Sequence, residues 1–266
     1  ISLFSFENEE FLFPGVDHTT KFCLLTLGGS QQRQRSADFF FFARQPQHLT
    51  ESERHFSLTP KEFRLLNPNT RTCPVFRRKS DAVLSTFIYR RVPVFNEEGT
   101  NRDDRWNVTF SRMFDMSNDS HLFKTQAELE SLGFHLFGNR MVKEEEVYLP
   151  LYEAKMIWQF DHRFGTYEGS ESRSSTHLPT PSEKQYQDPN FVAIPWYWVE
   201  VSQISLNNIN YLLAWRKIAR STDEHSSIFS ILPNSGAGDS ICLVKYNLKS
   251  KIIYLFANFS SIVFDF

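Results

Sequence analysis

Lys21-Phe-Cys-Leu-Leu-Thr-Leu27, closed by Gly28-Gly29, and Asp38-Phe-Phe-Phe-Phe-Ala43 decide how the first part of this chain is read. Both are nearly continuous apolar runs. A strand with one wet face alternates polar and apolar residues, whereas a strand covered on both faces does not. The two runs therefore predict covered strands of an α/β sheet. Leu3, Phe4 and Phe6 add a short apolar strand before them, and Phe11 to Asp17 holds the turn dipeptide Pro14-Gly15. Ser30 to Ser36 is polar and basic and reads as an exposed loop.

Residues 46–95 read as helices and loops. Thr59-Pro60-Lys-Glu62 has the spacing of a capping box with proline at the first helical position, and Asn67-Pro68 stops that helix. Ser80-Asp81 opens a second helix, with Val83, Leu84, Phe87 and Ile88 as its apolar face. The polar stretch 96–105 is the expected linker. Beyond it the chain becomes strand-rich. Strands are expected at Trp106–Met116, Tyr148–Phe160, Phe191–Val201, Tyr211–Arg220, Ser227–Leu232 and Ile241–Tyr246. Thr125-Gln-Ala-Glu128 caps a short helix ending at Gly133, and Gly169 to Pro189 is a Ser/Pro/Thr-rich loop long enough to carry function. The expected fold is an α/β portion over 1–95 joined to a strand-rich α+β module over 106–266.

The 266 residues are 41% hydrophobic and 23% charged, a globular composition, with Phe 27 as its unusual count. A net charge of −2 excludes an indiscriminate polyanion binder but leaves room for a local basic face. Cys23, Cys73 and Cys242 are odd in number and lack metal-ligand spacing, which predicts free thiols in a reducing compartment. The longest apolar stretch, Ile252 to Ala257, is too short to span a bilayer. The chain starts at Ile1 and stops on Phe264-Asp-Phe266, both inside apolar runs. Termini are generally exposed, so a piece of a longer chain is expected.

Several motifs carry possible chemistry. Glu153-Ala-Lys155 lies in an expected apolar strand, Val147 to Met156. On a strand, Glu-x-Lys is the core of many metal-dependent nucleases, with Asp115 or Asp119 as the further carboxylate; a cross-strand ion pair explains it equally well. Asp161-His162-Arg163 could grip phosphate or form an ordinary ion pair. Arg71 to Arg91 holds six basic residues against Asp81, which suits phosphate contacts or a solvated helix face. Arg216-Lys217 and Arg220 lie at a strand end and allow the same two readings. Trp196-Tyr197-Trp198 could stack on bases or fill a core. Asn67-Pro68-Asn69-Thr70 lacks the second proline and the aromatic of the Asn-Pro-Pro-aromatic motif that holds a flipped base, so it reads as a turn.

Taken together, several phrases resemble one family. They are Lys21 to Gly28; Asn67 to Thr72 with Pro74 to Arg77 and Asp81-Ala82; Arg112-Met-Phe-Asp-Met-Ser-Asn-Asp-Ser-His-Leu-Phe123; Pro150-Leu-Tyr-Glu-Ala-Lys-Met-Ile157 with Gln159 to Phe164 and Thr166 to Glu168; Trp215 to Glu224; and Ile231 to Pro233. They keep their order over almost the whole chain. The chain is similar to large bacterial adenine-specific DNA methyltransferases of restriction–modification and phage-defence systems, type IIG-like. It departs from the family at His225-Ser226, where Arg-Thr is usual.

The resemblance implies a fragment: the C-terminal part of a methyltransferase core and linker helices over 1–95, then a DNA target-recognition module over 106–266, truncated at its C-terminus. The parent would methylate N6 of adenine, flipped from the duplex, with S-adenosylmethionine bound upstream of these residues. No catalytic, cofactor-binding or metal residue is expected here. The expected partner is double-stranded DNA, with no membrane, in the bacterial cytoplasm. Expected DNA contacts are Arg112, Asn118, Asp119, His121, Lys155, His162, Arg163, Arg216 and Arg220, with Arg71, Arg77 and Arg78 as further phosphate contacts. The alternatives are a metal-dependent nuclease centred on Glu153 and Lys155, and a non-catalytic interaction module.

Overall fold

A computed structural model describes residues 1–99, 108–175, 177–204, 211–220, 223–245 and 252–265. The chain divides into two compact units, Ile1–Asp103 and Asp104–Phe266. Both mix helix and strand around open sheets. Among the described residues, no helix is long and apolar enough to cross a membrane.

The first unit is built on a four-stranded sheet of β1 (Ser2–Glu7), β2 (Lys21–Thr26), β3 (Ala37–Ala43) and β4 (Phe56–Leu58), in the order β2-β1-β3-β4. β1 runs antiparallel to β2 and parallel to β3, and β4 returns antiparallel to β3. The phenylalanine run of β3 is covered on both faces, as its pattern predicts. Phe39 and Phe41 pack with Phe56, Leu58 and Ala82, while Phe40 and Ala43 pack with Phe6 on the other side. Fully buried Asn8 shapes the loop on that second side, donating from Nδ2 to the carbonyls of Phe13 and Val16 and accepting from the Phe13 amide.

Two expectations for this unit are corrected. β2 is an edge strand, and Leu24, Leu25 and Leu27 are more than half exposed. Only Phe22 of this strand packs into an apolar cluster, against Phe6, because among the described residues the two clusters of the unit centre on β1, β3 and β4. The second correction concerns the helices. α1 (Pro60–Leu66) carries the expected capping box: Thr59 Oγ1 accepts from the Glu62 amide and Glu62 Oε2 accepts from the Thr59 amide at 2.9 Å. α2 (Lys79–Arg91) is present too, with the Asp81 carboxylate accepting from the Arg78 amide. However, α2 buries Ala82, Ser85 and Thr86 and turns Val83, Leu84 and Phe87 outward. Small side chains let the helix approach the bulky phenylalanine face of the sheet. The Thr86 hydroxyl donates to the Ala82 carbonyl, which removes its burial cost.

The second unit contains two sheets. One comprises β6 (Phe123–Thr125), β7 (His135–Phe137), β8 (Arg140–Lys143), β9 (Glu146–Tyr152), β10 (Tyr197–Glu200) and β13 (Gly236–Ala237), in the order β6-β10-β9-β8-β7 with β13 parallel to β9. The other is β12-β11-β14-β5, from β5 (Thr109–Ser111), β11 (Tyr211–Arg216), β12 (Phe229–Pro233) and β14 (Ile241–Lys245). A core of Tyr152, Met156, Ile157, Tyr167, Ala214, Leu232 and Ile241 draws on both. Gly236 is required where β13 meets β9, since a Cβ there would lie 2.7 Å from Val199 Cγ1 and 2.8 Å from Leu151 Cδ1.

The helices of this unit are short. α3 (Gln126–Ser131) has the expected Thr125–Glu128 capping box, and Gly133 follows it at φ +89°. α4 (Glu183–Gln187), capped by Ser182, lies unforeseen in the long loop. α5 (Ile252–Phe259) packs Ile252, Leu255 and Phe259 onto Leu213, Phe229 and Val244, and α6 (Ile262–Asp265) follows. Most strands are shorter than expected. The important case is β9, which stops at Tyr152, so Ala154–Met156 forms a 3-10 turn instead of continuing the strand. The Ala154 amide is bonded by Ser240 Oγ, and Met156 drops fully into the core. Residues 100–107, Tyr246 and Phe266, which include much of the expected linker and part of two expected strands or ends, lie outside the described residues.

Candidate nucleic-acid interface

Several residues of the resembling phrases meet around the turn after β9. Glu153, the residue after β9, is a buried carboxylate. The Arg173 guanidinium meets it side-on, Nε to Oε1 at 3.2 Å and Nη2 to Oε2 at 3.3 Å, and the Tyr167 hydroxyl donates to Oε1 at 3.1 Å. Burial, then the neighbouring Glu153 carboxylate, push the Tyr167 phenol well above its ordinary value, so it stays a donor. Lys155 Nζ donates to the carbonyls of Arg173 and Ser175 and sits 5.1 Å from the Tyr167 ring centre. Burial draws Lys155 below the usual lysine value. Lys155 therefore pins the loop that carries Arg173. Glu153, Lys155 and Arg173, with Glu171, Trp196 and Tyr197, line an open cavity of about 560 Å³.

The nuclease alternative needs a free carboxylate cluster here. Glu153 has its oxygens committed to Arg173 and Tyr167. Asp115 accepts from the Ser117 and Asn118 amides and pairs with Arg112 at 2.8 Å, while Asp119 accepts from the Asp115 amide. Those backbone hydrogen bonds hold the Asp115 carboxyl below its ordinary value. Among the described residues no three His, Cys, Asp or Glu side chains gather to hold a metal ion.

The next turn carries Asp161, His162 and Arg163. Trp158 and Asp161 bridge it, and Phe160 at its tip has φ +65° and is 63% exposed. Asp161 accepts from the Tyr186 hydroxyl at 2.7 Å and from the Arg163 amide. Burial, then that Asp161 bond, push the Tyr186 phenol up to about 12. The Arg163 guanidinium donates to the Tyr186 and Asp188 carbonyls, closing the 158–164 turn onto the end of α4. His162 is half-buried, and burial lowers its pKa.

Arg216 ends β11 beside the same turn. Its guanidinium lies 5.2 Å from the Trp158 ring centre, and Trp158 stacks on Phe164. Arg216 Nε is buried with no hydrogen-bond acceptor among the described residues. Burial lowers the Arg216 pKa, and the charges of Asp223 and Arg220 reach it. The adjacent Lys217 amide donates to the Ser240 carbonyl, whose hydroxyl accepts from Ala154, so the β11 end and the turn after β9 share one support. Arg112 and Lys217 both act on Asp115, which brings the 112–119 loop to the same end of the sheet. Two phrases separated by about a hundred residues thus converge.

Asn118 contributes its amide to the Asp115 turn, and His121 is exposed on a 3-10 turn. Arg71, Arg77 and Arg78 belong to the other unit. Arg77 lies 4.6 Å from the Phe42 ring centre, and Arg71 has φ +54°. His225 and Ser226, where the chain departs from the family pattern, both bond the Asp265 carboxylate. Arg173 escaped sequence reasoning, and Tyr167, though part of the Thr166 to Glu168 phrase, was given no role there. The length of the 169–189 loop was a signal, but no motif or spacing marks its single arginine as functional.

The Asn67 side-chain amide donates to Thr72 Oγ1 at 2.6 Å, within the turn that follows α1. Gly28-Gly29 lead into an irregular loop, not a helix N-terminus. No family model, no curated protein and no solved structure matches the chain.

Proposed function

We propose that this chain is the DNA target-recognition part of a site-specific adenine-N6 DNA methyltransferase of a bacterial restriction–modification or phage-defence system. Residues 1–95 are the end of its methyltransferase core, and the parent works in the cytoplasm on double-stranded DNA. S-adenosylmethionine binding and methyl transfer belong to residues outside these 266.

The observation that carries the reading is Arg216. A half-exposed guanidinium over the Trp158 ring, whose buried Nε has no acceptor among the described residues, favours an anionic or acceptor-rich ligand at its exposed end. Arg220 acts on it together with Asp223, Lys217 is its chain neighbour, and Arg112 is paired with Asp115 in a loop on which Lys217 also acts, so basic groups gather at this end of the sheet on a chain of net charge −2. Phosphates of a duplex supply such acceptors at regular spacing.

The test is a salt titration of binding to duplex DNA. Tight binding at low salt should weaken steeply as salt rises. Arg216→Ala should weaken it about equally on all sequences and lower the salt slope by about one. Binding that ignores salt, or its absence at low salt, overturns the reading. The chain alone should transfer no methyl group from labelled S-adenosylmethionine to duplex DNA.

A further inference from the structure

The cavity after β9 contains an arginine prepared for more than an ion pair. Glu153 engages the Nε–Nη2 edge of Arg173 with both oxygens. That side-on contact leaves the opposite edge, Nη1 and the outer proton of Nη2, as a second pair of parallel donors. Nη1 has no acceptor among the described residues, and the side chain is 38% exposed while that of Glu153 is only 10% exposed. The guanidinium is held in three further ways. Its centre lies 5.3 Å from the Tyr197 ring centre, Lys155 bonds its own carbonyl, and Tyr167 steadies Glu153 from behind. An arginine fixed in this way presents a rigid fork rather than a freely moving charge.

We propose that Arg173 reads guanine in the target sequence, with Glu153 and Lys155 as positioning residues; this rests on the target-recognition reading above. Guanine offers O6 and N7 as two adjacent acceptors in the major groove, which match a guanidinium fork. Adenine replaces one acceptor with an amino donor, cytosine presents a donor, and thymine presents one acceptor beside a methyl group. The fork therefore discriminates among bases. Phosphate is the competing acceptor, and the charge balance disfavours it. Glu153 neutralises Arg173, and Glu171 in the same cavity offsets the charge of Lys155, whose Nζ protons already bond two carbonyls. A neutral base edge loses little from that neutralisation, whereas a phosphate loses most of its attraction. The half-exposed rings of Trp196 and Tyr197 supply flat walls of the kind bases pack against.

The experiment is selection of binding sites from a randomised duplex by the whole chain and by Arg173→Ala, Arg173→Lys and Glu153→Gln, with thermal melting of each variant alongside. The expected wild-type consensus contains a guanine position at which Arg173→Ala selects no base. Affinity for the consensus should fall roughly ten- to a hundredfold, with the salt slope unchanged. Arg173→Lys, which keeps the charge but not the fork, should lose the same preference while binding random DNA normally. Glu153→Gln should relax it in part. A full consensus retained by Arg173→Ala overturns the inference while leaving target recognition intact. A loss that is uniform across sequences, with a smaller salt slope, reassigns Arg173 to phosphate and also overturns it. If the wild-type chain selects no sequence and binds no duplex at low salt, the target-recognition reading fails and this inference falls with it.

Discussion

Asp265 Oδ2 lies 2.7 Å from His225 Nδ1, tying α6 to a segment 40 residues earlier in the chain. The other carboxylate oxygen accepts from the amides of Ser226 and Ser227 and from the Ser226 hydroxyl. One side chain thus satisfies three consecutive residues of the loop leading into β12 and fastens the C-terminal helices over the sheet. His225 and Ser226 are thereby occupied by structure.

Burial would raise the Asp265 pKa, but hydrogen bonds from Ser226, His225 and Ser227 prevail and hold it below 3.8. The unfolded chain therefore takes up a proton at a higher pH than the folded one. The stabilisation is complete above the unfolded value and is lost as pH falls through the lower folded one. Asp265→Asn should cost about 1–3 kcal/mol at neutral pH. Urea unfolding at a series of pH values should show the gap between wild type and variant narrowing only below pH 4.

His162 behaves with the same sign for a different reason. Burial disfavours its charged form more than Asp161 favours it, so its folded pKa lies below 6.5. Below that pH the unfolded chain binds a proton that the folded chain does not, and folding weakens as pH falls. An NMR titration of the imidazole should place its midpoint under 6.5 and should move it upward in a variant that opens the 158–164 turn, such as Arg163→Ala.

The β13 contact should be intolerant of even one methyl. Gly236→Ala places a carbon within 3 Å of both Val199 and Leu151, in the core beside β9. The expected loss is about 1–3 kcal/mol by chemical denaturation. Gly138→Ala, where the space is open but φ is +58°, tests backbone strain instead and should cost about 1–2 kcal/mol.

Apolar positions in two strands of the first unit should behave oppositely. Phe40 is fully buried in β3, and Phe40→Ala should cost about 3–5 kcal/mol. Leu24 and Leu25 in β2 are 56% and 54% exposed, so Leu24→Ser with Leu25→Ser should change stability by less than about 0.5 kcal/mol per site while improving solubility. Amide exchange should be faster along β2 than along β3, since β2 has a sheet neighbour on one side only.

The amino-acid sequence by itself determined what depends on near neighbours in the chain. Thr59–Glu62 and Thr125–Glu128 form capping boxes wherever the backbone turns helical, because both partners are local. The apolar run of β3 encodes burial on two faces, and an odd set of widely spaced cysteines yields three free thiols. Only the tertiary structure decided what depends on distant partners. Apolar β2 resembles β3 in sequence but is exposed, since burial depends on what other segments cover it. α2 presents Ala82 to the sheet rather than Val83 and Phe87 because the opposing phenylalanines leave room for a small side chain. Glu153 and Lys155 sit on a turn because Ser240, 86 residues beyond Ala154, takes the amide that a continuing strand would have used. Arg173 gains its geometry from a carboxylate 20 residues earlier in the chain, a ring on β10 and a lysine on the turn after β9. A fork held in three dimensions has no linear signature.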